Sequence, residues 1–127
     1  MYLKEGRIFP GGRFSMLQVT VEKNDKITIM RINGEFFIES IQKVEKIWEE
    51  EVAKAPSIIA IDCADLMFID SSAIGTLVKF LNNAMCKKIR LVFYDLSPSI
   101  QQIFKTARLN NFFTITTRDK FEREYLL

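Results

Sequence analysis

The chain has 127 residues, enough for one domain with a real core and too few for two. It carries 18 lysines and arginines against 16 aspartates and glutamates, and this net charge of +2 gives no electrostatic footprint for nucleic acid or an anionic membrane. It contains no histidine, which excludes Ser-His-Asp and Cys-His catalysis, mixed Cys/His zinc sites and histidine general bases.

The N-terminal part of the chain predicts an arm followed by a β-hairpin. Residues 1–15 contain Pro10, Gly11 and Gly12 and show no sustained period, so we expect an irregular arm and a domain that begins at Met16. Residues 17–22 alternate between apolar and polar side chains, 23–26 form a turn, and 27–32 are rich in β-formers. This pattern is typical of a hairpin, which Gly34 can end because glycine tolerates a positive φ.

The remaining elements alternate between helix and strand. Apolar residues at helical spacing predict helices over about 39–54 and 73–85, while the apolar runs 57–63 and 89–93 are typical of buried strands. Ser97 is the expected N-cap of a third helix with Pro98 at its first position, before a strand at 112–116 and a short helix at 118–126. The order β-β-α-β-α-β-α-β-α predicts a single α/β domain: a mixed sheet, with an N-terminal antiparallel hairpin then parallel strands, and helices packed on it.

The two cysteines and the hydropathy pattern indicate in which cellular compartment the protein is found. Cys63 and Cys86 form no Cys-x-x-Cys motif and are interpreted as small core residues. No apolar run approaches the roughly 18 residues of a membrane span, and no secretory segment is present. The sequence therefore predicts a cytoplasmic, reduced protein without membrane insertion, cofactor or metal site.

Residues 66–75 carry the strongest functional signal because three adjacent polar side chains, Asp70, Ser71 and Ser72, join a strand to a helix. Functional loops lie at the carboxyl ends of parallel strands, where this segment falls. Asp70 or Ser71 is the expected N-cap, which contributes about 1 kcal/mol, and the helix dipole favours negative charge there. The pattern fits either a plain helix cap or an exposed, phosphorylatable serine, and local physics alone favours the cap.

The same residues resemble a family motif. Residues 70–75, Asp-Ser-Ser-Ala-Ile-Gly, resemble the Asp-Ser-Ser/Thr-Gly-Leu-Gly motif of the STAS domain family, the bacterial anti-sigma-factor antagonists. Residues 33–35, Asn-Gly-Glu, resemble the Gly-Glu step that closes the family's second strand, and residues 95–104 resemble its Ser-Pro helix start. The likeness spans residues 16–127 in the family's order. Ala73 stands where the family usually has glycine, and Phe37 stands where it has aspartate.

The resemblance implies a STAS-type domain that is not an enzyme but a phosphorylation-switched protein-binding module. Its partners would be a serine kinase that doubles as an anti-sigma factor, bound by the unmodified form, and a serine phosphatase. The phosphate is expected on Ser71, with Ser72 as the second choice. The residues expected to contact the partner are Asp70, Ser71, Ser72, Ala73, Leu66, Met67, Glu35 and Phe37.

Two alternatives stay open. The domain could be a non-phosphorylated STAS subunit of a lipid-transport ABC system, or a signalling scaffold. A small enzyme is the weaker alternative, because the sequence has neither Gly-x-x-x-x-Gly-Lys-Ser/Thr nor Gly-x-Gly-x-x-Gly and no second catalytic motif. Phe68 and Ile74 suit either an apolar interface or the core.

Overall fold

A computed structural model describes residues 17–126 of the chain and the backbone of residues 2–8. The α-helices are α1 (Ile41–Val52), α2 (Ser71–Cys86), α3 (Pro98–Thr106) and α4 (Arg118–Phe121); a 3₁₀ turn at Ile38–Ser40 precedes α1, and a π-helical turn at Glu122–Leu126 continues α4. The strands are β1 (Tyr2–Ile8), β2 (Gln18–Asn24), β3 (Ile27–Phe36), β4 (Ile58–Asp62), β5 (Leu66–Ile69), β6 (Arg90–Tyr94) and β7 (Thr114–Thr116).

The strands form one mixed sheet in the order β1-β2-β3-β4-β6-β7, and β5 pairs with the far end of β3. The pairs β1–β2 and β2–β3 are antiparallel, whereas β3–β4, β4–β6 and β6–β7 are parallel. This arrangement confirms the predicted mixed sheet with an antiparallel start. Ser97 and Pro98 are also confirmed as the N-cap and first residue of α3.

Both faces of the central strands are buried, because successive side chains point to opposite sides. In β6, Leu91 and Phe93 face the large core under α1, α2 and α3, whereas Val92 and Tyr94 face a smaller cluster under α4. The ring of Phe121 in α4 is fully buried and stacks on Tyr94 at 4.5 Å between centroids. Burial on both faces explains why these strands read as unbroken apolar runs.

Gly34 has a φ of 112° but does not end the hairpin as expected, because β3 continues through it to Phe36. Two further strands differ from the sequence-based expectations. Residues 2–8 were expected to lie in an irregular arm but form β1, which pairs along the whole length of β2; the rest of that expected arm lies outside the described residues. Residues 66–69 were expected to lie in a loop but form β5. Each of these strands forms by pairing with a strand that is distant in sequence, β2 for β1 and β3 for β5. The local sequence pattern therefore does not predict them.

Three helices end on a left-handed residue that is not glycine. The φ angle is 53° at Ala55, 60° at Lys88 and 59° at Arg108, after α1, α2 and α3 respectively. At the end of α2, the Ile89 N–H donates to the Ala84 carbonyl over 2.8 Å, the hydrogen bond that closes a helix around such a residue. A side chain in this conformation costs about 1–2 kcal/mol, which glycine would avoid.

Candidate functional site

Asp70 fixes the geometry of the loop that leads into α2. Its backbone is extended, and its Oδ1 accepts a hydrogen bond from the Ala73 N–H at 2.8 Å, so it is the N-cap of α2. Its Oδ2 accepts a second bond from the Ile38 N–H at 3.0 Å. One carboxylate therefore holds the start of α2 against the turn that precedes α1, which confirms one of the two predicted caps.

Ser71 is the first residue of α2, and its side chain is exposed. Ser72 is half-buried, and its carbonyl accepts a hydrogen bond from the Thr76 hydroxyl at 3.1 Å. Of the two candidate serines, Ser71 is thus the more accessible. The positive end of the helix dipole lies at the same position and favours an added negative charge.

Apolar side chains beside Ser71 form an exposed surface. Met67 is 67% exposed, Phe68 45% and Ile38 64%, and the Phe37 ring meets the Phe68 ring edge-on at 5.5 Å. In β5 the two outer residues are buried and the two central ones are exposed, because the register with β3 skips Met67 and both Met67 and Phe68 reach the surface. We call Phe37, Ile38, Met67 and Phe68 the apolar patch; exposed patches of this kind mark interaction sites.

Acidic residues border the apolar patch. Glu35 pairs with Phe68 in the β3–β5 register, and Glu39 is exposed in the turn before α1. Asp65 is exposed, and its carbonyl accepts a hydrogen bond from the Gly34 N–H at 2.9 Å. A partner that covers the patch therefore meets an apolar centre with a negative rim.

Two residues expected at the partner surface lie elsewhere. Leu66 is 2% exposed and Ala73 is fully buried, because both side chains belong to the core under α2. Ile74 is half-buried and packs against the same core. The surface around Ser71 is therefore built from Asp70, the exposed serine and the apolar patch.

A buried carboxylate that the sequence analysis did not single out lies at the end of β4. Asp62 accepts hydrogen bonds from Arg31 Nε at 2.8 Å, Arg118 Nη2 at 2.9 Å, the Tyr94 hydroxyl at 3.3 Å and the Ala64 N–H at 3.0 Å. Burial acts to raise the pKa of Asp62, but the Ala64 N–H and the two guanidinium groups hold it below its ordinary value. In the sequence, the only sign of this site is that Asp62, a charged residue, ends an apolar run.

Arg118 links this carboxylate to α4. Its Nε donates to Asp95 Oδ2 at 2.7 Å while its Nη2 binds Asp62, and its guanidinium lies 5.2 Å from the centre of the Tyr94 ring. Burial, followed by the negative charge of Asp62, raises the pKa of Tyr94. Through Arg118 this cluster ties α4 to the sheet, and through Arg31 it joins β3 to β4, which makes it a structural network.

The described part of the chain contains neither a metal-binding cluster nor a membrane-spanning helix. Within residues 17–126, no group of three or more cysteine, aspartate and glutamate side chains is placed to hold a metal ion. None of the helices in the described part of the chain is long and apolar enough to cross a membrane.

Comparison with known proteins gives a family and a set of related folds. The sequence profile of the STAS domain matches residues 18–123. An anti-sigma factor antagonist from Mycobacterium paratuberculosis has a TM-score of 0.74 and 17% identity over 90% of this chain and 94% of that chain. The phosphorylated form of the Bacillus cell fate determinant SpoIIAA has a TM-score of 0.63 and 17% identity over 80% of this chain and 94% of that chain.

The same fold also occurs in a protein of a transporter family. A sulfate transporter family protein from Wolinella succinogenes has a TM-score of 0.65 and 16% identity, over 76% of this chain and 82% of that chain. At such identities the likeness to solved structures establishes the shared fold.

Proposed function

The chain belongs to the STAS domain family, and we propose that it is an anti-sigma factor antagonist whose binding to its partner is switched by phosphorylation of Ser71. The unmodified protein binds a serine kinase that doubles as an anti-sigma factor, and a serine phosphatase reverses the modification. The protein acts by binding rather than by catalysis. Two solved anti-sigma factor antagonists of the same fold support this role, the Mycobacterium paratuberculosis protein and SpoIIAA, and SpoIIAA was also solved in its phosphorylated form.

The observation that carries the proposal is the position of Ser71. Its side chain is exposed at the first residue of α2, directly after the Asp70 cap and beside the apolar patch. A kinase can reach an exposed hydroxyl there without unfolding the helix. Cys63 is buried as expected, whereas Cys86 is exposed at the end of α2 and is not a core residue. Both are free, in keeping with the reducing cytoplasm where such a switch operates.

A phosphate on Ser71 acts through local charge. It adds about −1.5 to −2 units beside Asp70 and the acidic rim, and the helix dipole offsets only part of that charge. The fold tolerates the dianion because the site faces water. A partner packed on the apolar patch does not, because the dianion must keep its water or find cations.

Binding of the partner kinase by Ser71→Asp tests this mechanism. We expect at least about tenfold weaker binding than wild type, equivalent to about 1.4 kcal/mol, with a thermal midpoint that is nearly unchanged. Ser57→Asp is the matched control, since Ser57 is also an exposed serine but lies at the opposite end of the sheet. It should bind like wild type. Equal binding by Ser71→Asp and wild type would contradict switching by charge.

A second function has one supporting observation, the shared fold of a sulfate transporter family protein. In that case the domain is a non-phosphorylated STAS subunit of a transport system, such as a lipid-transport ABC system, or a signalling scaffold. Neighbouring genes for a permease and an ATPase, with co-purification of the chain and that ATPase, would favour it. Neighbouring genes for a serine kinase or phosphatase would favour the switch.

A further inference from the structure

The end of the sheet opposite Ser71 carries a concentration of positive charge. The Ser57 N–H donates to the Lys26 carbonyl at 2.8 Å and the Arg90 N–H to the Ser57 carbonyl at 3.0 Å, so the starts of β3, β4 and β6 lie side by side. The helices α1 and α2 end beside them. We call the cations gathered there the lysine face: Lys23, Lys26, Lys54, Lys87, Lys88 and Arg90.

Two grooves cross the lysine face. One, of about 520 Å³, is lined by Lys23, Lys26 and Lys54, and the other, of about 450 Å³, by Lys87 and Lys88. They meet at residues 55–56, Ala-Pro, which line both. The lysine face therefore combines exposed cations with an apolar floor.

Part of this charge is neutralised within the molecule, and part is not. Glu51 is buried and forms ion pairs with Lys23 and Lys54. Lys26, Lys87 and Lys88 are exposed, and no ion pair to them is found within residues 17–126. The three exposed lysines are therefore available to a partner.

Lys88 takes a left-handed conformation, as Ala55 and Arg108 do after α1 and α3. Its φ of 60° is the conformation in which glycine is preferred, and the helix-closing bond from Ile89 would form equally well around glycine. A cation near a helix C-terminus does gain from the dipole, but Lys87 already supplies one. Lys88 can therefore be replaced by glycine to test its side chain without loss of the helix end.

The lining of the grooves favours a protein partner over nucleic acid. Among residues 17–126, none that lines the grooves is aromatic and could serve as the stacking platform that single-stranded nucleic acid uses, and Asp25 interrupts the cations. A complementary protein surface needs exposed apolar side chains and a negative rim. The apolar patch with Glu35, Glu39 and Asp65, at the other end of the same chain, has both.

We propose that two copies of this chain associate head to tail, with the apolar patch and acidic rim of one copy docked on the lysine face of the next. The two contacting surfaces are different, so the contact does not close on itself and extends into open chains. Docking covers the surroundings of Ser71, so a second copy and the proposed kinase compete for one surface. The association itself requires no phosphorylation and stands independently of that switch.

Sedimentation of the full chain tests the proposal. At about 0.01 M salt, where charges act over about 30 Å, the average mass should rise with protein concentration, and at about 1 M salt it should return to that of a monomer. A monomer at every concentration in low salt would overturn the proposal.

Charge reversal then locates the two surfaces. Lys87→Glu with Lys88→Glu should weaken the association about tenfold or more, and Glu39→Lys with Asp65→Lys should do the same. An equal mixture of the two double variants should associate again, because each retains one intact surface and the two reversed surfaces carry opposite charges. Lys46→Glu with Lys79→Glu, which changes the net charge equally on the middles of α1 and α2, should associate like wild type.

Three results would contradict this arrangement: no association in the mixture, equal loss in the Lys46 and Lys79 control, or binding of an RNA oligonucleotide or anionic vesicles by a wild-type chain that stays monomeric.

Lys88→Gly gives a check that does not depend on a destabilised variant. It should raise the thermal midpoint by relieving the strained φ and also weaken the association. A raised midpoint with unchanged association would show that Lys88 has no part in the contact between copies.

Discussion

Asp62 and Asp70 both stand where a strand ends, yet their surroundings differ. Asp62 is fully buried and meets two guanidinium groups, a phenol and an N–H, which join it to β3, β6, α4 and the loop after β4. Asp70 is half-buried and accepts bonds from two backbone N–H groups that shape the loop before Ser71. The first carboxylate supports the fold, and the second shapes a surface. Substitutions should separate these two roles.

The largest effect on stability is expected for Asp62→Ala. Removal of one member of a buried ionic network leaves the others unpaired, and we expect a loss of about 3 kcal/mol in unfolding free energy, at the low end of the usual range. The value is low because Arg31 and Arg118 are 26% and 39% exposed and can recover water. Chemical denaturation measures it. A loss under about 1 kcal/mol would show that the network is not structural.

Acid should remove the same stabilisation. The pKa of Asp62 is lowered in the folded protein, so its contribution is complete above the pKa of an unfolded aspartate, about 4, and is lost as the pH falls below that value. Denaturation midpoints between about pH 6 and pH 3 measure this loss. The Asp62→Asn variant should show a flatter acid dependence than wild type. Parallel curves for the two proteins would assign acid sensitivity to other groups.

Asp70→Ala should destabilise the protein less, by about 1–2 kcal/mol, because it removes an N-cap whose N–H partners can turn to water. It should also weaken partner binding, since the Asp70 bond to the Ile38 N–H positions one edge of the apolar patch. Asp70→Asn keeps a capping oxygen, so it should lose less stability and less partner binding than Asp70→Ala. If Asp62→Ala weakened partner binding more than Asp70→Ala in folded protein, the division of roles would be wrong.

Phe68→Ser should have the smallest effect on stability, within about 0.5 kcal/mol, because the side chain is 45% exposed. Its effect on partner binding should be large, since aromatic side chains at the centre of an interface carry much of the binding energy. Phe112→Ser is the matched control, because Phe112 is 68% exposed near β7 and away from α2. Equal binding of the partner by the two variants would show that the partner does not bind at the apolar patch.

The contrast also shows what the sequence could and could not reveal. The Asp70 cap was predictable because the chemistry of a helix start is local, and β4 and β6 were predictable because strands buried on both faces read as apolar runs. The partners of Asp62 lie 31, 32 and 56 residues away, so no local pattern reports them. The apolar patch was only partly predictable, because Met67 and Phe68 are turned outward by the pairing of β5 with β3, which is equally distant in sequence.

Whether Ser71 accepts a phosphate is the central question, and intact-mass measurement after incubation with the partner serine kinase and ATP answers it most directly. Wild type should gain one phosphate, Ser72→Ala should gain it equally, and Ser71→Ala should gain none. No added phosphate on wild type, or undiminished phosphate on Ser71→Ala, would contradict the switch at Ser71.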